Sequence, residues 1–506
     1  MVNSQNKKIA VIISYFTMLV QFAVVFFITP YLLKQLGDSE YGLYQLVAST
    51  ASYLTLLGFG FSAAYIRFYS RFKSNNEEEK IASLNGMFMT LFLIMSISCI
   101  IIGAIVCSNI NVVLGDKLEV DQYSEAKRIF FLLALNMALT FPKSIFVCNT
   151  TAHEKFVFQK SLVLSVDVLT PILQIVFVVF LKNGFALTLA TTAATLFDFI
   201  INILYNVYKL RMRFKFGNFD WPLLKEISIF TFFIFLNQVL DLLSSTNIDN
   251  YLIGRIIGTT SVTIYSMGSK ISQMFHSVAA PISAVFVPTV YRLVEEKKSN
   301  EQLSALFTKV GKIQFIILYL IISGFVLWGK PFINIWIGEG YEDSYYIAIV
   351  LMASLVVALS QNIGIEIQRA VNKHKIRSIV YLVIDIGNVF ISIPLIRWLG
   401  PIGAAVGTAI AMLLGTVIFM NWYYKVGIGI AISGYWKNVL QIILCSLPAI
   451  IVARIMIKIL GTGILTTILQ ALVYVIIYAI TIYLAVLDQK EKDTVNIIKR
   501  IRRSVK

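Results

Sequence analysis

Chemistry in this chain must come from a small set of polar side chains set inside long apolar stretches. Between residues 226 and 250, Asn237, Asp241, Ser244 and Ser245 follow an i, i+4, i+7/i+8 spacing that places them on one helical face. Ser266, Lys270, Gln273 and Ser277 form a second stripe, with His276 beside it. Ser14, Thr17 and Gln21 mark a third stretch, and Gln45, Ser49 and Ser52 a fourth. A charged group at the centre of a bilayer costs about 2.5–3.5 kcal/mol, so such groups are retained for binding or for moving ions. Lys270 and Asp241 are read as facing a water-filled cavity. Asp241 is the candidate ion-coupling carboxylate, and His276 a second candidate. The Ser and Thr hydroxyls read first as hydrogen bonds that hold helices together. Arg67 and Arg71 stand at the end of their span, where they either draw in an anion or follow the general bias of basic residues. Lys143 after Pro142 reads as a snorkelling lysine. Asp167, Asp198, Asp385 and Glu366 either pair locally or face a cavity.

The elements that must position these groups follow from hydropathy. Of 506 residues, 58% are hydrophobic and 14% charged, and mean hydropathy is +0.79. Apolar runs of 18 or more residues recur along nearly the whole length, the pattern of membrane-spanning helices. Fourteen spans are expected, near 10–33, 42–65, 82–108, 126–150, 158–181, 185–208, 226–250, 259–290, 307–337, 345–370, 376–397, 401–424, 436–459 and 463–487. Lys7 and Lys8 precede the first as they would a signal peptide, but the apolar run reaches Leu33, too long for one. With the N-terminus cytoplasmic, about 31 of the 43 Lys and Arg residues fall on the cytoplasmic side and about 9 outside, which fixes the expected orientation. The formal net charge of +16 is thereby assigned to cytoplasmic loops rather than to nucleic-acid binding. The four cysteines lie in apolar segments without metal spacing and read as small hydrophobes.

A weak internal repeat sets the domain plan. Leu36-Gly37 followed by Tyr44 recurs as Ile257-Gly258 followed by Tyr265. His153-Glu154-Lys155, Asp167 and Lys182-Asn183-Gly184 correspond to Lys373-His374-Lys375, Asp385 and Pro401-Ile402-Gly403. Each copy would hold six spans, an even number, so both copies face the same way. The expected plan is a six-helix lobe over 1–208, a basic cytoplasmic linker over 209–225, a second lobe over 226–425, two further helices over 426–487 and a basic cytoplasmic tail over 488–506. The fold class is all-α and polytopic, with about fourteen helices and two parallel-repeat lobes around a central cavity. At the repeat offset Gln45 matches Ser266 and Ser49 matches Lys270, so spans one, two, seven and eight are expected to line that cavity.

Several enzyme readings fail. Gly324 to Lys330 spells GxxxxGK, but Pro331 follows where Ser or Thr would bind magnesium. Gly58-Phe59-Gly60 reads as a helix-packing signal at most. His153, His276 and His374 are too scattered for a metal site. Asn149-Thr150-Thr151 is a glycosylation sequon at a cytoplasmic end. No cofactor is expected, and a proton or sodium gradient is the expected drive.

The chain resembles the Wzx-type polysaccharide flippases of the multidrug/oligosaccharidyl-lipid/polysaccharide exporter superfamily. The matching residues are Thr29-Pro30-Tyr31-Leu32-Leu33 leading to Leu36 through Tyr44, then Gly258 to Ser266, Ile333 through Gly338, and Ala370 through Ala405. The resemblance implies movement of undecaprenyl-pyrophosphate-linked oligosaccharide from the inner to the outer leaflet of a bacterial plasma membrane. It implies a non-enzymatic protein that meets lipid-linked sugar and membrane lipids, with a polysaccharide polymerase as a further partner; a monomer is expected because one chain already contains both lobes. Cavities in that family are cationic, whereas Lys270 is one of few mid-span cations here. Competing readings are a multidrug or organic-cation exporter, which needs an acidic cavity, and a lipid II flippase, which needs arginines within the first two spans. A glycan polymerase would need a large external loop, and the longest here runs only from about Asn109 to Glu125.

Overall fold

The computed structural model describes residues 4–217, 220–243, 246–296, 299–373, 375–461, 463–489 and 491–493. Within these, the side chains of residues 4–8, 11, 233, 236, 237, 240, 241, 243, 280 and 375 lie outside the description. Every regular element among the described residues is helical. Hydrocarbon offers no partner for backbone N–H and C=O groups, and a helix satisfies them within itself.

Thirteen described helices are long and apolar enough to cross a membrane: Ile12–Leu36, Asp38–Ser74, Glu78–Ser108, Val120–Ala152, Phe156–Leu181, Gly184–Lys209, Thr259–Glu295, Asn300–Ile337, Glu342–Ser360, Ile376–Leu399, Pro401–Ile428, Ser433–Leu460 and Ile464–Ala485. Trp221–Leu243, followed by Thr246–Ile256, occupies the place of span seven, so the total is about fourteen. Apolar side chains stay exposed in stripes of helical period. Ile468, Leu472, Ile476, Ile480 and Leu484 make one such stripe on span fourteen, the face such a helix turns to lipid.

Span two departs from a plain helix. Phe59 and Gly60 both have positive φ, 44° and 72°, and they separate a tight turn over Tyr53–Gly58 from the helix Phe61–Ser74. Gly58-Phe59-Gly60 is therefore a helix break and not merely a packing signal. Two successive left-handed residues cannot continue a right-handed helix. A Cβ on Gly60 would lie 2.5 Å from the Ile234 side chain.

Left-handed residues also punctuate the chain at recurring places. Gly37 and Gly258, Gly115 and Gly338, Glu154 and Asn372, and Lys182 and Gly400 all have positive φ. Each pair is separated by about 220 positions, and a repeated architecture leaves this kind of backbone mark.

The fold divides into two compact units, Met1–Ser266 with Ile393–Ala404, and Met267–Ser392 with Ala405–Lys506. In the first unit Leu43, Leu46, Tyr65, Phe68, Phe88, Phe92, Ile110 and Phe130 are fully buried. Small residues let its backbones approach closely: a Cβ on Gly42 would sit 2.0 Å from the Thr259 carbonyl oxygen. In the second unit the last helix, Ile464–Ala485, is held against Asn300–Ile337 by polar contacts. Ser323 and Tyr474 hydroxyls lie 2.6 Å apart, Trp328 Nε1 donates to Gln470 Oε1 at 3.0 Å, and the Tyr478 hydroxyl donates to the Ile316 carbonyl at 2.8 Å. Lys312 is buried, and its ammonium meets Glu491 Oε2 at 2.6 Å, pinning the start of the C-terminal segment.

Candidate functional site

The polar groups of the first unit gather in two layers, one at each end of its helices. One layer joins the connections between spans one and two, three and four, five and six, and seven and eight. Gln122 Nε2 donates to Ser39 Oγ at 2.7 Å and to Thr259 Oγ1 at 3.4 Å, and Thr263 Oγ1 donates to the Asp38 carbonyl at 2.7 Å. Glu40 and Glu125 accept from the backbone N–H groups of Gly184 and Phe185 at 3.0 and 3.3 Å. Two carboxylates thus sit at the first turn of Gly184–Leu204, where the helix dipole favours negative charge.

The second layer lies at the other end of the unit and is built from amides. The Tyr65 hydroxyl lies 2.7 Å from Asn85 Oδ1 and 3.2 Å from Asn149 Oδ1. Asn149 Nδ2 donates to Asn206 Oδ1 at 2.8 Å, and Asn206 Nδ2 donates to Thr150 Oγ1 at 2.9 Å. Asn149 is 1% exposed, so its glycosylation sequon is sealed inside the protein. Loops joining spans of alternating direction meet at opposite ends, as antiparallel threading requires.

Of the expected site residues, Ser49 is buried and accepts from Asn250 Nδ2 at 3.1 Å; Ser266 Oγ donates to Asn250 Oδ1 at 3.3 Å. Asn250 therefore links spans two, seven and eight. Beside it, buried Asp249 accepts from the Tyr265 hydroxyl at 2.5 Å. Neither Asp249 nor Asn250 was expected from the sequence. The signal was there, since the stripe beginning at Asn237 and Asp241 continues at i+8 to Asp249.

Gln21 is exposed and donates to Asp167 Oδ2 at 2.9 Å, joining spans one and five rather than spans one and two. Gln45 is half-buried. Arg67 is exposed, with its guanidinium 4.6 Å from the Phe230 ring centroid. Ser14, Thr17 and Ser52 return hydrogen bonds to the carbonyls of Ala10, Ile13 and Ser49 in their own helices, so these three serve local structure. The side chains of Asn237 and Asp241, and residues Ser244, Ser245 and His374, lie outside the described residues. In the second unit Lys270 is half-buried, Gln273 and His276 are exposed, and Ser277 bonds the Met274 carbonyl at 2.7 Å.

Four of the expected intramembrane charges, Lys143, Asp198, Glu366 and Asp167, have partners. Lys143 does not snorkel: its ammonium meets Asp198 Oδ2 at 2.6 Å. Arg369 pairs with Glu366 at 2.6 Å, and Asp167 is the acceptor for Gln21. Among the described residues no group of three or more His, Cys, Asp or Glu is placed to hold a metal ion.

Helices long and apolar enough to cross a membrane, with polar layers at both ends of the first unit, define a multi-pass membrane protein. The family described as Polysaccharide biosynthesis protein matches residues 7–294, more than half of the chain, and this protein belongs to it. A relative from Bacillus subtilis (strain 168), "Uncharacterized membrane protein EpsK", is 22% identical over 421 residues, covering 81% of this chain and 80% of that protein. Among solved structures, "Lipid II flippase MurJ, inward closed conformation" shares the fold with a TM-score of 0.74 at 16% identity, over 93% of this chain and 97% of that one. An inward-facing multidrug resistance MATE family transporter has a TM-score of 0.63 at 15% identity, over 81% and 97%.

Proposed function

We propose that this protein is a flippase that carries undecaprenyl-pyrophosphate-linked oligosaccharide from the inner to the outer leaflet of a bacterial plasma membrane, with both termini cytoplasmic. The observation that carries the reading is family membership in a chain whose spans keep polar faces. A lipid-linked sugar has a tail that prefers hydrocarbon and a head whose unpaired polar groups are costly there. A polar, water-filled cavity lets the head cross while the tail remains in lipid. The Lys270 ammonium is the proposed phosphate-attracting group, with Gln273, Asn237, Gln45, Ser49 and Gln21 as polar lining and Arg67 at the mouth. The cavity opens to the two sides in turn. A proton or sodium gradient drives it, with Asp241 or His276 as the coupling group and no bound cofactor. A polysaccharide polymerase acts on the exported product.

The test uses cells that carry the matching glycan locus and lack this gene. Lipid-linked oligosaccharide is assigned to a leaflet with an impermeant sugar-labelling probe. Accumulation on the cytoplasmic side, reversed by the wild-type gene but not by Lys270→Ala, is the expected result. Rescue by Lys270→Ala removes that residue from the mechanism. Normal export in a strain without a second flippase overturns the flippase reading. The fold shared with the lipid II flippase gives a second reading, which makes the opposite forecast: lipid II, not the oligosaccharide, would accumulate.

A further inference from the structure

The amide layer of the first unit forms the floor of a pocket that the transport reading does not use. Its volume is about 370 Å³, and Tyr69, Lys73, His153, Arg211, Arg213 and Glu78 are among its lining residues. Three elements and a strap make it. The end of Phe61–Ser74 brings Tyr69 and Lys73, and the end of Val120–Ala152 leads into His153. The start of Glu78–Ser108 supplies a third wall. The segment after span six crosses these as an extended strap. Lys215 N donates to the Ala82 carbonyl at 2.9 Å, and Asn85 Nδ2 donates to the Arg213 carbonyl at 2.8 Å. Gly86 makes that crossing feasible, because a Cβ there would lie 2.1 Å from the Lys215 carbonyl oxygen.

The charges of this pocket are unspent. Asn85 and Asn149 are buried and committed to the amide layer. His153 is also committed, with Nδ1 2.9 Å from the Asn149 carbonyl and Nε2 3.0 Å from the Tyr69 hydroxyl. By contrast, the Arg211 and Arg213 guanidiniums meet no protein acceptor among the described residues, and Lys73 rests only near the Tyr69 ring, at 5.7 Å. Glu78 is the single carboxylate in the lining. The N-terminus of a 31-residue helix opens into the same space, adding positive potential. A cationic pocket of this kind at the opposite end of the unit is less available. There Arg255 already donates to the Val113 carbonyl and to the Tyr251 hydroxyl.

We propose that this pocket, roofed by the strap and faced by Lys73, Arg211 and Arg213, is a phosphate-binding site distinct from the transport residues. Guanidinium forks match phosphate oxygens in pairs, and two of them with a lysine, set against the one carboxylate of Glu78, leave a positive charge to meet a phosphate ester. The ligand chemistry is a phosphate ester or free phosphate anion. A headgroup of the adjoining leaflet and a soluble phosphate both supply it. Occupancy would lock the strap onto the first six helices.

The experiment uses the full chain in nanodiscs. Thermal unfolding is followed in phosphatidylcholine alone, in phosphatidylcholine with phosphatidylglycerol, and in phosphatidylcholine titrated with inorganic phosphate. Wild type, Arg211→Gln/Arg213→Gln, and a control with two other exposed cations removed, Lys160→Gln/Lys225→Gln, are compared. Stabilisation by phosphatidylglycerol identifies a lipid headgroup, and stabilisation by inorganic phosphate identifies a soluble anion. In either case the strap double variant needs about a hundredfold more ligand for the same shift, since two charge-assisted bonds are lost and each accounts for about tenfold. The control keeps the wild-type response. Equal loss in the control, or no response of the wild type in either arm, overturns the proposal.

Discussion

Replacing Lys143 with Met should destabilise the first unit, and replacing Asp198 with Leu in the same chain should restore much of what is lost. The ammonium and carboxylate stand 2.6 Å apart with side chains 18% and 19% exposed. At an effective dielectric constant of about 20, two unit charges at that distance attract by about 6 kcal/mol. Taking both ions out of water costs several kcal/mol each, so the intact pair contributes little net stability. Losing one partner is different. In Lys143→Met the Asp198 carboxylate keeps one side-chain donor, Asn202 Nδ2 at 2.8 Å. Breaking a fully buried pair costs about 3–5 kcal/mol, and access of solvent to about a fifth of each side chain reduces this to about 2–4. The double variant Lys143→Met/Asp198→Leu has no uncompensated charge and should lie within about 1–2 kcal/mol of wild type. Thermal unfolding of purified protein, read by fluorescence-detected size exclusion after heating, gives the order: wild type, double variant, then the two single variants. A double variant less stable than either single would refute the reasoning, because the loss would then come from packing and not from a stranded charge.

Two further perturbations test the strap and its floor. Gly86→Ala should release the strap, since its Cβ would approach a backbone oxygen that has no rotamer to yield. Trypsin should then cut faster at Lys209, Arg211, Arg213 and Lys215, with the rest of the digest unchanged. His153 lies between spans four and five, and burial holds its imidazole below the ordinary range. The bond to the Asn149 carbonyl partly opposes this, and Lys73 and Lys155 add to it. A folded value below the unfolded one means that the unfolded chain takes up the proton first as pH falls. His153 therefore contributes stability that is fully present above about pH 6.5 and is lost as pH falls through the folded value. His153→Gln should flatten the stability profile in that window, and an unchanged profile would show that another group sets it.

The architecture was legible in the chain because hydropathy is a local property. A run of apolar residues has to form a helix in lipid whatever its neighbours are, so the number of spans and their approximate limits follow from the residues in order. The polar stripe on span seven, from Asn237 to Ser245, was expected from helical spacing alone, and those side chains lie outside the described residues. The reading stopped at Ser245, one turn short of Asp249 and Asn250, which lie buried inside the helix Thr246–Ile256.

Partnership was not legible. Lys143 meets Asp198 across 55 residues and Lys312 meets Glu491 across 179. Nothing in local spacing distinguishes these from a snorkelling lysine or a surface charge. Gly58-Phe59-Gly60 reads as a packing motif until the backbone shows two left-handed residues in succession. Asn85, Asn149 and Asn206 look like scattered amides until three helices bring them within 3.2 Å of a common chain of acceptors. The basic run from Lys209 to Lys215 marks an orientation in the sequence and becomes the roof of a pocket only when Gly86 lets it lie against a helix. Local chemistry determined which segments enter the membrane. Which of their polar groups answer one another depended on the third dimension, because a hydrogen bond inside a helical bundle joins residues whose separation along the chain carries no energy of its own.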